Sequence, residues 1–404
     1  MLALLAWKNI WRNRKRSLII VTAITFGLWG GLLAGAVMMG WGESMVNTAI
    51  DRDLAHIQLH KPGFIGDRNV SLYIPEGMEV LKNIRSVSGI KAASGRTLVD
   101  GMAASPASTF GVRIEGIDPE TESKVTNIKN LLIEGKYFET KKKNPVIIGK
   151  KLADRLNLKF NSKIVLSFQA MDDSLVYGAF RITGIYKSAS SAFDESHVFV
   201  RGNDLLRLLD SQPIIHEIAV RVESSDSMAE IIDSLKNKYP DLLLQTWKEL
   251  SPEVAAIAAA MEGWSYVFVG IILMALIFGI TNTMLMAVME RIQELGILMA
   301  VGMKKGKVFI MILLETIMLS ITGGLCGMIA GAITITALTH TGIDLSAFAS
   351  SLESFGASTV LYPFLPAGMY AILVVMIIVA ASVASTMPAW KAIHLKPSEA
   401  IRMY

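Results

Sequence analysis

The stretch Trp264–Met289, WSYVFVGIILMALIFGITNTMLMAVM, contains no charged residue. A helix needs about 20 predominantly apolar residues to cross the hydrocarbon core of a bilayer, and this stretch is long enough. Three other stretches share its character: Ser17–Met39 and Pro366–Met387 carry no charge, and Val308–Leu338 carries only Glu315. Because only helices and closed barrels satisfy their backbone in lipid, the sequence predicts an α-helical membrane protein with four transmembrane helices.

The composition of the whole chain agrees with this prediction. Of its 404 residues, 52% are hydrophobic and only 18% are charged, and the net charge is +4. An ordinary soluble domain has about a quarter charged residues. A disordered chain and a nucleic-acid-coating protein are therefore not expected, and no nucleic-acid partner is predicted. The single cysteine, Cys326, permits no intramolecular disulfide.

The spans divide the chain into segments of alternating character. The predicted segments are an amphipathic elbow helix at 1–16, a first span at 17–40, an outer α+β domain with a stalk at 41–263, a second span at 264–289, a loop at 290–307, a third span at 308–338, an outer loop at 339–365, a fourth span at 366–387 and a tail at 388–404. Basic residues cluster in 1–16, 290–307 and 388–404, whereas 339–365 has none. The positive-inside rule therefore predicts that both termini and the 290–307 loop are cytoplasmic and that the large domain lies outside.

The large domain shows a mixture of strand and helix patterns. Alternating runs predict strands at His56–Leu59, Val112–Gly116, Lys163–Phe168, Phe180–Ile185, His197–Val200 and His216–Val222. Helical spacing predicts helices around Leu152/Leu156, Leu205/Leu209 and Met228/Leu235. The order of these elements across 145–185 suggests small βαβ-like units.

A helix start precedes the second span. Ser251 is a cap residue, Pro252 occupies the first helical position, and Glu253 follows. The alanine-rich segment after it runs into the span without a breaker. One continuous helix from 252 to about 289 would be roughly 57 Å long, which predicts a stalk that joins the large domain to the membrane.

The loop between the second and third spans is the most informative stretch. Met289–Lys305 reads MERIQELGILMAVGMKK, in which a charged beginning is followed by an apolar patch and by Gly302. This pattern predicts a short amphipathic helix on the membrane surface with one face available to a partner. A passive interfacial linker is the alternative.

Within the spans, the sequence shows packing signals rather than a catalytic constellation. Gly27, Gly31 and Gly35 recur every four residues in the first span, as do Gly323, Gly327 and Gly331 in the third, so that helix backbones can approach closely. The interpretation is close packing within one chain. Glu315 is the only acidic residue in a span. We interpret it as a structural anchor that pairs with a basic loop residue, in preference to a proton relay.

The loop resembles the coupling segment of the FtsX/MacB/LolC–LolE superfamily of ABC transporter permeases, whose pattern is E-R-x-x-E-I-G-x-x-x-A-x-G, with Leu295 as the one departure. The resemblance extends to the elbow (Trp7–Ile10 and Arg12–Arg16), to Leu314-Glu315 and to the carboxy-terminal motifs Pro388–Ala392 and Lys396–Arg402. The fold that it implies is a MacB-like periplasmic core domain between the first and second helices. The implied location is the inner (cytoplasmic) membrane.

The resemblance implies a dimeric permease that works by mechanotransmission. A second permease copy or paralogue and a cytoplasmic ABC ATPase dimer would be its partners. ATP and Mg would be bound by those separate ATPase chains, so this chain is expected to be no enzyme, with no cofactor and no metal of its own. The residues expected to couple it to the ATPase are Glu290, Arg291, Glu294, Leu295, Gly296, Met299, Ala300 and Gly302.

Several outer-domain stretches are most similar to the lipoprotein-releasing LolC/LolE type: His56–His60, Gly116–Pro119, Phe180–Tyr186 and Phe193–Val198. This similarity implies the release of lipoproteins from the outer leaflet, with lipoprotein, membrane lipid and a periplasmic carrier as partners. The segment that corresponds to the LolC carrier-binding hook, Gln169–Tyr177, is short and acidic.

A substrate cleft is expected between the first and second spans, because methionine and aromatic side chains adapt to acyl chains. Its candidates are Met38, Met39, Trp41, Met261, Trp264 and Phe268. Ordinary packing is the alternative at each of these positions. Two other functions remain open: MacB-like efflux of periplasmic peptides or antibiotics, and FtsX-like signalling to a cell-wall hydrolase.

Overall fold

The structure is a computed structural model that describes residue 7 and residues 14–138, 143–224, 227–354 and 358–394. The chain forms two compact units. The membrane unit comprises Met1–Gly42, Ala259–Asp344 and Val360–Tyr404, and the extramembrane unit comprises Glu43–Ala258 and Leu345–Thr359. Most of the predicted elbow helix at 1–16, and residues 395–404 of the predicted tail, lie outside the described residues.

The helices are α1 (Arg14–Ala49), α2 (Phe64–Asp67), α3 (Gly77–Arg85), α4 (Pro119–Val125), α5 (Lys150–Arg155), α6 (Ser191–Ser196), α7 (Gly202–Leu208), α8 (Met228–Lys238), α9 (Trp247–Leu250), α10 (Pro252–Glu290), α11 (Ile292–Ala300), α12 (Lys305–Thr341), α13 (Ala349–Ser354) and α14 (Ala367–His394). The strands are β1 (Ile57–His60), β2 (Ile90–Ala104), β3 (Thr109–Ile117), β4 (Leu132–Gly135), β5 (Pro145–Gly149), β6 (Lys163–Gln169), β7 (Leu175–Tyr186), β8 (His197–Arg201), β9 (Glu217–Val222), β10 (Leu243–Thr246), β11 (Ile343–Asp344) and β12 (Val360–Leu361).

Four of these helices are long and apolar enough to cross a membrane: α1, α10, α12 and α14. They confirm the prediction of four transmembrane helices, and each helix extends beyond the predicted bounds at one end or both. The predicted continuous helix from 252 to about 289 is confirmed, since α10 runs unbroken from Pro252 to Glu290. The apolar lengths fix where these helices lie along the chain, whereas their ends depend on local capping and packing.

The carboxy-terminal end of α14 corrects one prediction. Residues 388–394 were expected in a tail, but they form the last two turns of the helix, with Pro388, Ala389 and Ala392 buried. A proline inside a helix leaves the carbonyl four residues earlier without its partner. The hydroxyl of Thr281 on α10 donates to that carbonyl, on Ala384, over 3.0 Å. The neighbouring helix thus compensates for the proline, as helices in lipid require.

The two glycine rows pack within the chain, as predicted. A Cβ atom on Gly323 or Gly327 of α12 would lie 2.9 Å from a backbone carbonyl oxygen of α1, on Val21 and Thr25 respectively. In the other row, a Cβ atom on Gly27 of α1 would lie 2.7 Å from the Leu276 side chain on α10. Because a backbone atom cannot move aside as a side chain can, the α1–α12 contact is the one that requires glycine.

We expect Gly327→Val to destabilise the membrane unit by about 2 kcal/mol, because the added methyl groups must push α1 and α12 apart. Thermal unfolding of the full chain in detergent micelles measures the effect. Gly270→Val is the matched control, since no atom lies within 4 Å of a Cβ built on Gly270. Equal melting temperatures for the two variants would contradict the assignment of Gly327 to a required close contact.

The extramembrane unit is built on a ten-stranded sheet with the path β10-β1-β9-β2-β3-β8-β5-β7-β4, and β6 pairs with both β2 and β7. The first half of β2 pairs with β9 and the second half pairs with β3, so this one strand belongs to two lobes. A buried cluster packs on each lobe: one includes Ile57, Ile218 and Leu235, and the other includes Val146, Leu166 and Val198.

All six strands and all three helices predicted for the large domain are present, with ends shifted by a few residues. The predicted βαβ-like arrangement is present in the parallel pairing of β5 with β7. The longest of the described strands, β2, is not among the predicted ones, and its sequence IKAASGRTLVDGMAA is rich in alanine and glycine. Those residues have low β-propensity, so the strand forms because partners on both sides provide its hydrogen bonds.

Candidate functional site

The predicted amphipathic helix in the loop between the second and third spans is α11. Its carboxy-terminal end is closed by two backbone hydrogen bonds, from Gly302 N to Met299 O over 3.1 Å and from Met303 N to Leu298 O over 3.0 Å. Gly302 has φ of +101°, a backbone conformation that favours glycine over other residues. These features define a Schellman motif, so Gly302 fixes where the helix stops and the chain turns toward α12.

An ion pair holds the beginning of α11 against α12. Arg291 Nη1 donates to both carboxylate oxygens of Glu315, at 3.2 Å each, and Arg291 Nε donates to Glu294 over 3.0 Å. The Glu315 side chain is 4% exposed and the Arg291 side chain is 12% exposed. The prediction that Glu315 pairs with a basic loop residue is therefore confirmed.

The predicted coupling residues lie on α11 or next to its two ends, and they differ in exposure. Leu295 and Gly296 are buried within the membrane unit, and Met299 is half-buried against its core. Glu290, Glu294, Ala300 and Gly302 are exposed. The buried residues position the helix, whereas the exposed ones are accessible to a partner. A role in ATPase coupling stays a prediction for the whole set.

Two exposed apolar residues next to the predicted coupling residues are not part of the predicted set. Ile297 is 53% exposed and Val301 is 83% exposed. With Glu294 they follow the i, i+3, i+7 spacing of one helix face, and we call these three residues the outward face of α11. The signal was present in the sequence, but only the burial of Leu295 and Gly296 shows which side of the helix faces away.

An apolar groove of about 640 Å³ lies between α1 and α10 in the membrane unit. Its lining includes Phe26, Gly27 and Gly30 on α1 and Ile272, Ala275 and Gly279 on α10. Small residues on both helices leave this space, and Phe26 is 67% exposed beside it. The groove has the dimensions and the lining to accept hydrocarbon.

The six predicted cleft residues lie on the same two helices, but none of them lines this groove. Met39 packs against a buried cluster of the membrane unit. Trp264 and Phe268 are exposed, at 52% and 37%, whereas Met38, Trp41 and Met261 are half-buried. A role for these six residues in a substrate cleft stays a prediction.

The extramembrane unit contains a buried network of charged groups. The guanidinium of Arg96 donates to Glu122 over 2.7 Å and to Glu217 over 2.6 Å. His60 lies 3.1 Å from the other oxygen of Glu217. Although burial opposes ionisation of Glu217, Arg96 and His60 together lower its pKa to about 2. The network joins β1, β2, β9 and α4, and it requires Glu217 to be ionised.

Comparison with known protein families identifies the class of protein to which the chain belongs. Residues 17–238 match the MacB-like periplasmic core domain, and residues 266–397 match the FtsX-like permease C-terminal domain. The chain therefore belongs to the FtsX/MacB family of ABC transporter permeases. The MacB-like core lies between the first and second transmembrane helices, as the resemblance implied.

Three curated relatives show how this similarity is distributed. The pyoverdine export ATP-binding/permease protein PvdT of Pseudomonas fluorescens is 24% identical over 90% of this chain and 56% of its own length. The macrolide export ATP-binding/permease protein MacB of Wolinella succinogenes is 23% identical over 81% and 52%. The lipoprotein-releasing system transmembrane protein LolE of Haemophilus influenzae is 23% identical over 72% of each chain. The chain thus spans about half the length of the export relatives.

Two solved structures resemble part of the chain. One is the extracellular domain of the ABC-type transporter YknZ from Gram-positive bacteria, with a TM-score of 0.34 and 16% identity over 47% of this chain and 99% of that domain. The other is the periplasmic region of MacB from Actinobacillus actinomycetemcomitans, with a TM-score of 0.35 and 15% identity over 51% and 94%.

Proposed function

We propose that this protein is the membrane subunit of an ABC transporter that extracts lipoproteins from the outer leaflet of the inner membrane, with ATP hydrolysed by a separate cytoplasmic ATPase dimer. The observation that carries the proposal is the apolar groove between α1 and α10. The groove lies toward the predicted cytoplasmic ends of α1 and α10, and Gly30 and Ile272 in its lining lie near mid-span. The ends of outer-leaflet acyl chains reach the middle of the bilayer, so they would enter the groove laterally at that level. A second permease copy or paralogue completes the transporter.

The outward face of α11 is the proposed contact with the ATPase. It combines the carboxylate of Glu294 with the exposed apolar side chains of Ile297 and Val301. Exposed apolar residues beside polar ones are typical of a protein contact. The Arg291–Glu315 ion pair would transmit a movement of α11 to α12, because it joins the two helices directly.

We do not propose that Gln169–Tyr177 recruits a carrier protein. The connection between β6 and β7 is a tight turn, in which Ala170 N donates to Ser174 O over 2.9 Å and Asp173 N donates to Ala170 O over 3.2 Å. A turn this short offers little surface for a carrier protein. If a periplasmic carrier takes part, we expect it to bind another subunit or another face of the extramembrane unit.

We expect a photo-crosslinking amino acid at Phe26 or Ile272 to label an acylated lipoprotein in vesicles that contain the permease and its ATPase. Both positions line the groove. Ile333 on α12 is the control, because it is equally apolar and 66% exposed but does not line the groove. Gel analysis of a lipoprotein with a radiolabelled acyl chain measures the adduct. Trp264 and Phe268, tested in the same way, report on the predicted cleft.

Equal labelling at Ile333 and in the groove would show only contact with bulk lipid and would contradict the proposal. Labelling by a water-soluble peptide or antibiotic, without any acyl adduct, would favour efflux of the MacB kind. Capture of a cell-wall hydrolase by the full chain, with no adduct at all, would favour signalling of the FtsX kind.

A further inference from the structure

A polar cavity of about 400 Å³ lies within the extramembrane unit. Side chains from the strands β1, β2, β3 and β9 and from the helices α2, α6 and α9 line it. Its volume falls within the range of small-molecule sites in proteins, roughly 300–1,000 Å³. Neither the packing of the sheet nor the proposed transport of lipoproteins requires a cavity of this kind.

The carboxylates that line the cavity already have partners within the chain. Glu217 is bound by Arg96 and His60. Asp53 accepts from Arg52 Nε over 2.8 Å. Glu249 accepts from the backbone and the hydroxyl of Thr246 at the start of α9. These three of the four carboxyl groups in the lining therefore need no ligand, and Glu115 is the fourth.

Two arginines that line the cavity have fewer hydrogen-bond and ion-pair partners than these carboxylates. Within the described residues Arg68 forms no ion pair, and its Nε donates only to the carbonyl of Ile65 over 3.3 Å. Arg113 Nε lies 3.5 Å from Asp100, has no hydrogen-bond partner among the described residues, and is buried. Burial and the nearby charge of Arg113 lower the pKa of Arg68. Two guanidinium groups that repel each other would both be stabilised by an anion.

Glu115 lies beside them and differs from the other carboxyl groups of the cavity. It is 3% exposed, and its Oε2 has no hydrogen-bond partner among the described residues. Its nearest base is His197, whose Nε2 lies 3.8 Å from Oε1. Burial raises the pKa of Glu115 to about 8 and lowers the pKa of His197 to about 4. Both shifts favour the uncharged forms, and a protonated Glu115 carboxyl group can donate a hydrogen bond.

Charged and titratable groups of both signs surround Glu115. They are Arg96 and Asp100 on β2, Arg113 on β3, Arg68 after α2, His197 on β8, Glu217 on β9, and Arg52 and Asp53 before β1. Glu217 is paired with Arg96 and His60, and Asp53 is paired with Arg52. The Asp100 side chain near Arg113 is 53% exposed to solvent, so Arg68 and Arg113 are the cations whose charge is least compensated at the cavity. An oxyanion would satisfy these two cations and accept a hydrogen bond from the Glu115 carboxyl group.

We propose that this cavity binds a small ligand through one oxyanion, a carboxylate or a phosphate monoester, which is held by Arg68 and Arg113 and accepts a hydrogen bond from the Glu115 carboxyl group. Guanidinium groups bind both oxyanions in the same bidentate geometry. The site lies wholly within the extramembrane unit, and it does not depend on the substrate that the transporter moves.

Titration calorimetry on the full chain in detergent micelles, in a chloride buffer, tests the site with succinate and with glycerol phosphate as probes. Arg68→Met and Arg113→Met are each expected to weaken binding at least about tenfold, because each removes a charge-assisted contact. Arg207→Met is the control, since Arg207 is 70% exposed and lies outside the cavity. Binding of one probe alone would identify the head group.

The pH dependence separates this site from a general attraction of anions. Succinate keeps a constant charge above neutral pH, whereas Glu115 ionises near pH 8 and then repels the anion. Binding should therefore weaken by up to about tenfold per pH unit above 8. Glu115→Gln stays neutral and should bind succinate equally well at pH 7 and pH 9.5.

Thermal unfolding of the same chains without ligand gives an independent readout. Because the folded-state pKa of Glu115 is raised, the folded chain binds more protons, and stability should fall as the pH rises from about 4.5 to 8. The stability of the Glu115→Gln variant should not show this decrease with rising pH. No binding of either probe at millimolar concentration, or equal binding by the Arg68 and Arg113 variants and the wild type, would overturn the proposal.

Discussion

Arg291→Ala is expected to lower the stability of the membrane unit by about 3 kcal/mol, because it removes the guanidinium that is ion-paired with the buried carboxylate of Glu315. The same change detaches the start of α11 from α12. We therefore also expect ATP-dependent substrate release to fall by at least about tenfold, since the ion pair is the direct link between the proposed docking helix and the third span. Thermal unfolding in micelles and release from proteoliposomes measure the two effects.

A double-mutant cycle isolates the ion pair. The double variant Arg291→Ala/Glu315→Ala removes both charges, so it should be more stable than Arg291→Ala alone. It should still couple ATP hydrolysis poorly to substrate release. Arg291→Lys keeps the charge but loses the contacts of the guanidinium fork, and an intermediate result is expected. If the double variant is no more stable than Arg291→Ala, the buried charge at Glu315 is not the cause of the loss.

Gly302→Val is expected to uncouple ATP hydrolysis from transport while the extramembrane unit stays folded. The backbone at Gly302 has φ of +101°, which costs a residue with a side chain about 1–2 kcal/mol and is worst for a β-branched one. No atom lies within 4 Å of a Cβ built on Gly302, so the strain comes from the backbone and not from a clash. The end of α11 should therefore unwind or turn differently.

Gly306→Val is the matched control for this position. Gly306 lies in the first turn of α12 with ordinary helical backbone angles, and a Cβ built there also meets no atom within 4 Å. Its variant should hydrolyse ATP and release substrate at nearly wild-type rates. The Schellman turn would not be needed for coupling if Gly302→Val still coupled ATP hydrolysis to substrate release. Equal losses of release in Gly302→Val and Gly306→Val would lead to the same conclusion.

Much of the fold could be predicted from the sequence because its signals are local. The uncharged runs give the four spans, and Ser251-Pro252 gives the start of α10. The strands that were predicted alternate apolar and polar residues, whereas β2 has no such pattern and depends on neighbours that are distant in the chain. The last turns of α14 were missed because Pro388 normally ends a helix, and the hydroxyl that compensates for it lies on α10.

The candidate sites follow the same division. The sequence by itself determined that Glu315 is a lone acid in an apolar helix and that a short amphipathic helix follows the second span, since composition and spacing within one segment are enough for both. Only the tertiary structure decided that Arg291 is the partner of Glu315, that Ile297 and Val301 face outward, and that Arg68, Arg113 and Glu115 line one cavity. The physical reason is that charge pairing, exposure and cavities arise between segments far apart in the chain, and no local pattern encodes which segments meet.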